Sequence, residues 1–362
     1  MFKFRNIDGF TPGRFERMGM LKGKRWYTHT EDGEQLFSNI VSGLFKPKRK
    51  EFGDKKVYCA NHYGELVGYL LALGSRTPSC KVELAHLSKY YENIHKQRNH
   101  GSSEPKDGCI IYSHLENNQV LEHGKLVIDG YISEKYDDST DTRAHTNDDV
   151  DLFLDAIEYT TRNFYSKSPI ERTPDFINNK VIEIRRKAIN MIVYDCLYGN
   201  NDRHDENWAL VKDSDGREID LYPLYDNERV LGLYENINTI KHALITDSVE
   251  AESEKILFSR MRVPGEKNRS SSYKDVLTYM LYIYPETQDL ITQHLKSNTP
   301  RTVRMYLESC EGLPEEYIAF GSKMYESRYE FAKKILLEKS SSKSNLNTTK
   351  KLSENPEDYD GR

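Results

Sequence analysis

Apolar positions divide this chain into two stretches of different period. Up to about residue 135 they come in short runs rich in β-formers, and 24–28, 43–48, 80–84, 109–115 and 125–128, each bounded by Gly, Pro, Asn or Asp, predict strands. One helix interrupts them. Over 61–73, Leu66, Tyr69, Leu70 and Leu73 recur at spacings of three and four, and Gly74 is the expected stop. Residues 95–108, with Gly101-Ser102-Ser103 and Pro105, read as a mobile loop.

Beyond residue 147 the helical period takes over. Val150, Phe153, Leu154 and Ile157 mark one face over 149–165; Ile177, Val181, Ile184, Ile189, Ile192, Val193 and Leu197 mark a long helix over 174–198 that ends at Gly199. Two short strands follow, 208–211 and 219–224, joined by the turn Asp213-Ser214-Asp215-Gly216. Helical spacing then resumes over 272–297, 300–309 and 314–339. The pattern predicts an α+β chain of two lobes, a β-rich lobe over 1–135 and an α-rich lobe over 136–340. After Lys339 the composition turns to Ser, Lys, Asn and Thr and then to acidic residues. With almost nothing to bury, 341–362 is expected to be a disordered tail.

Composition narrows the class. The 362 residues are 37% hydrophobic and 30% charged, enough for a sizeable core in each lobe. No run of about eighteen apolar residues is present, and Met1-Phe2-Lys3-Phe4-Arg5-Asn6 lacks the apolar stretch of a signal peptide, so a cytoplasmic protein without stable membrane anchoring is expected. Five scattered cysteines without a C-x-x-C pair predict reduced, mostly buried thiols. The net charge of -5 argues against direct nucleic-acid binding through global basicity. Lys46-Pro47-Lys48-Arg49-Lys50 is a local basic patch, too short to overturn that.

The chemistry concentrates after the long helix. Gly199-Asn200-Asn201-Asp202-Arg203-His204-Asp205-Glu206-Asn207-Trp208 is followed about twenty residues later by Leu224-Tyr225-Asp226-Asn227. Phosphoryl transfer needs donors for phosphates, ligands for a metal ion and a group that orients the nucleophile. Asp202 suits the last role, as catalytic base. Asn207, through its amide oxygen, and Asp226, on the paired strand, offer the hard oxygen ligands that magnesium takes. Asp and Asn also cap polar loops routinely, so Asp202 alone decides nothing; the three residues together carry the reading. Asp205 and Glu206 suit solvent-facing positions beside the site. His204 has no second histidine at ligand spacing, which makes it a hydrogen-bonding loop residue and not a metal ligand.

The run Gly-Asn-x-Asp-Arg-His-x-x-Asn with the later Tyr-Asp-Asn resembles the catalytic and metal-binding segments of HipA-like serine/threonine kinases, within the wider group of atypical kinases that includes phosphatidylinositol kinases. The resemblance implies a two-lobed protein-kinase-like fold, ATP and Mg2+ as cofactors, Asp202 as base, and Asn207 and Asp226 as metal ligands. Leu44-Phe45-Lys46-Pro47 resembles the family's lysine strand, which places Lys46 against the α and β phosphates, and Glu65 resembles the carboxylate that pairs with it. Lys48, two residues on and so on the same strand face, is the alternative. Gly19-Met20-Leu21-Lys22-Gly23-Lys24 stands where the family has its nucleotide loop, so Gly19, Gly23 and Lys24 become candidates for cofactor binding. That segment is neither G-x-G-x-x-G nor a Walker A sequence, and strand-linking turn glycines explain it equally well.

The acceptor is left open. A serine or threonine hydroxyl of a protein substrate, or of the chain itself, is the favoured reading; by analogy alone the substrate would be a translation factor such as an aminoacyl-tRNA synthetase. Asp-Arg-x-x-x-Asn-Trp with Asp-Asn also resembles type II phosphatidylinositol 4-kinases, so a lipid or polyol is the alternative acceptor. A nucleotide-binding pseudokinase is the third reading, and a catalytic base at Asp202 argues against it.

Overall fold

The computed structural model describes residues 1–7, 11–12, 25–30, 40–48, 59–90, 104–116, 118–135, 149–256, 261–265 and 271–353. Among these, strands β1 (Arg5–Asn6), β2 (Thr11–Pro12), β3 (Arg25–Thr30), β4 (Ile40–Pro47), β5 (Val82–Tyr90) and β6 (Glu104–Tyr112) form one sheet in the order β1-β5-β6-β4-β3-β2. Its pairings are antiparallel except for β1 with β5. Part of the expected mobile loop is therefore strand, because 104–108 pairs along β5. The candidates Gly19, Gly23 and Lys24 lie outside the described residues.

The sheet's two faces separate by the period of two. Phe45, Ile110 and Tyr112 bury on one face with Ile7, Ala85 and Leu87, while Leu84, Cys109 and Ile111 join the main core on the other. Lys46 stands opposite Cys109 in the ladder, so it shares the second face. Against that face packs α1 (Asn61–Gly74), buried along almost its whole length. The spacing of Leu66, Tyr69, Leu70 and Leu73 anticipates one buried face; the other is covered too, by the helical side of the molecule, where Tyr194 donates to the Gly68 carbonyl at 2.8 Å and Asn298 to the Leu71 carbonyl at 2.8 Å. Gly74 closes the helix as its last residue, and the cap itself is Ser75, whose N–H donates to Leu71.

A second, antiparallel sheet has the order β7-β8-β9, from β7 (Gln119–His123), β8 (Ala209–Asp213) and β9 (Ile219–Leu221). The segment expected as a strand at 125–128 instead lies in α2 (Gly124–Lys135), which packs on α3 (Val150–Ser166). Val127, Ile128, Tyr131 and Ile132 are its buried apolar side chains, and spacings of one, three and one form a helical stripe that four residues alone do not reveal.

The long helix α4 (Pro174–Tyr198) matches the expected bounds. Thr173 caps its start by accepting from the Phe176 N–H, Pro174 occupies the first turn, and Gly199 ends it at φ 75°. The helical side continues with α5 (Ile237–Ile245) and α6 (Val249–Ile256), two helices that the spacing does not announce. The stretch 272–297 is two helices, α7 (Tyr273–Ile283) and α8 (Thr287–Ser297), broken at Tyr284-Pro285 because proline removes a helical donor and forces its predecessor extended. Then come α9 (Pro300–Glu308) and α10 (Glu315–Ser353). The last helix passes Lys339, where a disordered tail is expected, and continues through 341–353. No Gly or Pro interrupts it there, so a helix already nucleated on the core propagates. Four of the five cysteines are buried, and none forms a disulfide.

Candidate active site

Lys46 is 2% exposed and Glu65 fully buried. Its ammonium lies 2.6 Å from Glu65 Oε1, 2.8 Å from Glu228 Oε2, and in contact with Asp226 Oδ1. The other Glu65 oxygen, Oε2, accepts from the Asn227 N–H at 2.8 Å. One carboxylate on α1 thus grips both the lysine strand and the Asp226-Asn227-Glu228 segment. Lys48 lies past the end of β4, where its N–H donates to Asp107 O at 2.8 Å; of the two candidate lysines, Lys46 meets the carboxylates.

The electrostatics follow from burial. Desolvation by itself lowers the Lys46 ammonium, but Asp226, Glu228 and Glu65 outweigh it and hold the group well above its ordinary value. Desolvation pushes Glu65 up to about 6, with Lys46 pulling down against it and Asp226 and Glu228 adding to the rise. Glu65, Asp226 and Glu228 offer oxygens within 4.8 Å of one another, a spacing that could hold a metal ion. Lys46 already neutralises that cluster, and the amide oxygen of Asn207 is a further oxygen that could join Asp226 as a ligand.

The catalytic-loop candidates are organised by Arg203, 1% exposed. It spans Asp195 with Nε at 3.0 Å and NH2 at 3.2 Å, and NH2 also donates to Asn227 Oδ1 at 2.7 Å. Its NH1 donates to two backbone carbonyls, Asn207 at 2.8 Å and Tyr225 at 2.6 Å. That single nitrogen ties the residue before Asp226 to Asn207 itself. Burial raises the Asp195 carboxyl, with Arg203 opposing the rise.

Asn207 is buried, and its side-chain amide nitrogen donates to the Asp202 carbonyl at 2.7 Å, which turns the amide oxygen the other way. Asp226 adopts φ 56°, a left-handed conformation that Asp and Asn tolerate better than other side chains and that concentrates at functional sites. Arg203 ties the Asn207 backbone to Tyr225, the residue before Asp226, and an amide oxygen with a carboxylate is a pair that Mg2+ could take while keeping water in its remaining positions. Asp202 is half-buried, with Oδ2 3.2 Å from Arg229 Nε. His204 is a loop residue, its Nδ1 accepting from the Glu206 N–H at 3.2 Å. Glu206 is exposed and Asp205 half-buried.

Sequence reading missed four participants. Glu228 and Arg229 directly follow Asp226-Asn227, and adjacency was the available signal. Gly64 and Gly68, one helical turn apart on α1, let the 226–228 segment approach: a Cβ on Gly68 would meet Asn227 Cβ at 2.6 Å. The signal there was a pair of glycines inside a helical pattern, each costing about 1 kcal/mol relative to Ala and so needing a packing reason. A groove of about 520 Å³ lined by Leu126, Tyr159, Phe164, Lys167 and Lys212, among others, contains none of these residues.

Neither a family model nor a curated protein sequence matches the chain. Solved structures do match. The crystal structure of the Helicobacter pylori proinflammatory kinase CtkA aligns over 93% of this chain and 99% of its own, with a TM-score of 0.67 and 16% identity. The Shewanella oneidensis MR-1 toxin–antitoxin HipA, in complex with HipB and operator DNA, aligns over 88% of this chain and 67% of its own, with a TM-score of 0.45 and 12% identity. The fold is that of a two-lobed kinase, as the sequence resemblance implies.

Proposed function

We propose that this protein transfers the γ-phosphoryl group of ATP to a serine or threonine hydroxyl of a protein. The observation that carries the reading is the buried Lys46–Glu65 pair joined directly to Asp226, with Arg203 tying Asn207 to the residue before Asp226 and the Asn207 amide donating to the Asp202 carbonyl. A purely structural core gains little from a cation among three carboxylates, because such clusters cost more desolvation than packed apolar side chains of the same size. A kinase fold supplies a reason for it.

In this reading Lys46 neutralises the α and β phosphates. Asn207 and Asp226 hold Mg2+, which when bound supplies further neutralisation of phosphate charge. Asp202 orients the acceptor hydroxyl. As the acceptor oxygen bonds to the γ-phosphorus, its proton passes to the Asp202 carboxylate, and the bond from the γ-phosphorus to the bridging oxygen breaks with its electron pair leaving on the diphosphate. The backbone–side-chain bonds from Arg203 and Asn207 keep these groups in place before substrate arrives.

The test is incubation of purified protein with labelled ATP, Mg2+ and a cell lysate, followed by phosphosite mass spectrometry. Wild type is expected to label serine or threonine, and Asp202→Ala to lose that label by at least two orders of magnitude. Undiminished labelling by Asp202→Ala would remove the base assignment, and label found only in lipid would replace the protein acceptor.

A further inference from the structure

Two arginines flank the candidate base, and they are used differently. Arg203 has donors on all three nitrogens engaged by carboxylate, carbonyl or amide oxygens, which is the signature of a structural clamp. Arg229 is not satisfied in this way. Its one side-chain hydrogen bond among the described residues runs from NH1 to Asn201 Oδ1 at a long 3.4 Å. Its Nε is buried without a hydrogen-bond partner, although Asp202 Oδ2 lies 3.2 Å away, since the N–H does not aim at that oxygen. The guanidinium lies over the Tyr234 ring, 4.6 Å from its centroid, which holds the head in place without using any N–H.

A guanidinium with five donors, poorly used and stacked beside a candidate base, is built to receive an anion with several oxygens. The loop itself supplies no other cation in that place. Position 204, two residues past Asp202, is a histidine whose Nδ1 accepts from the Glu206 N–H. Lys46 is taken up by three carboxylates, Glu65, Asp226 and Glu228. Charge on the transferred group is otherwise left to the metal.

We propose that Arg229 is a second phosphate-binding cation of this site, exchanging its contact with Asp202 for oxygens of the γ-phosphoryl group of bound ATP. The inference rests on the kinase reading above. It implies that in the nucleotide-free protein Arg229 covers the base, and that binding of a triphosphate, not a diphosphate, draws it away and leaves Asp202 open to the acceptor hydroxyl. Arg229 remains charged throughout and takes no proton; the bonds made and broken are those of the transfer itself.

The discriminating measurement is equilibrium binding of Mg2+-ADP and of an ATP analogue with a nitrogen bridge between the β and γ phosphates, which does not turn over. Wild type, Arg229→Gln and Arg229→Lys are compared, each checked by thermal melting. Arg229→Gln is expected to weaken the triphosphate analogue about tenfold or more while leaving ADP unchanged, in keeping with the loss of a charge-assisted contact. Arg229→Lys is expected to recover part of that difference. Equal effects on both nucleotides, or none on either, would overturn the role of Arg229 and leave the kinase reading standing. Failure of wild type to bind either nucleotide would overturn both. If Arg229 merely positions Asp202, the turnover rate falls in Arg229→Gln with no change in triphosphate affinity, and that outcome also rejects the proposal.

Discussion

Gly64 on α1 lies so close to Glu228 that a Cβ on the glycine would meet the Glu228 carbonyl oxygen at 2.2 Å. Backbone, not a flexible side-chain end, is the obstacle. The contact brings α1 against the segment that carries Asp226, and the Glu65 bond to the Asn227 N–H is made across it. Close approach of two backbones therefore sets the distance between the two halves of the site.

Gly64→Ala tests that dependence with a reversed sign. In an open helix position, Gly to Ala gains about 1 kcal/mol. Gly130 on α2 is such a position, with nothing near an added Cβ, and Gly130→Ala is expected to stabilise by up to about 1 kcal/mol. At Gly64 the steric push on Glu228 costs about 2 kcal/mol or more, so the net effect is destabilising, and nucleotide binding weakens because Glu65 and Asp226 separate. Urea unfolding of both variants makes the comparison; stabilisation by Gly64→Ala would show that the approach is slack.

Lys46→Met makes a pH-dependent prediction. Glu65 already has its folded-state value raised to about 6 by burial, despite the pull of Lys46. A carboxyl raised on folding contributes stability that is present below its unfolded value and lost as pH rises through the folded one. Removing Lys46 takes away both the charge and the hydrogen bond that lower Glu65, and leaves Asp226 and Glu228 to raise it further. The loss of stability in Lys46→Met, about 3–5 kcal/mol when a buried cluster loses its counter-charge, is therefore expected to be largest near pH 8 and to shrink toward pH 5, where Glu65 takes up a proton. Chemical denaturation at the two pH values reads the difference. A pH-independent gap would mean that the carboxylates relax into solvent.

How much of this was legible in the chain depends on range. The helix of 174–198 could be bounded from residues alone because its signals are local: a capping Thr173, Pro174 in the first turn and Gly199 in the left-handed region. Asp202, Asn207 and Asp226 could be singled out because their motif is local, but the strand expected over 219–224 ends at Leu221, so Asp226 lies past the hairpin in irregular backbone and not on a strand. Arg203 stood within the same motif, but its role depends on Asp195 one helical end away and on carbonyls of Asn207 and Tyr225, and no spacing encodes carbonyl directions. The helix over 124–135 was hidden by a short apolar run that suits either period. The persistence of α10 through 341–353 was hidden for a different reason: composition speaks to burial, whereas a helix already anchored at Tyr317, Phe320, Met324 and Ala332 needs only the absence of breakers to continue.

Arg203→Lys isolates the clamp. Arginine serves five acceptors here, and a lysine has three donors on a flexible stem. At least two of the Asp195, Asn207, Tyr225 and Asn227 oxygens would lose their partner, each buried acceptor costing about 1–3 kcal/mol. The expected loss is about 3 kcal/mol, a large share of the roughly 5–15 kcal/mol that holds a folded domain together. The effect on function should exceed the effect on stability, because the same NH1 fixes Asn207 to the residue before Asp226. Variant protein that is still folded at low temperature is therefore expected to need a several-fold higher Mg2+ concentration for half-maximal nucleotide binding. Unchanged Mg2+ dependence in a folded Arg203→Lys would show that Asn207 and Asp226 hold their places without the clamp.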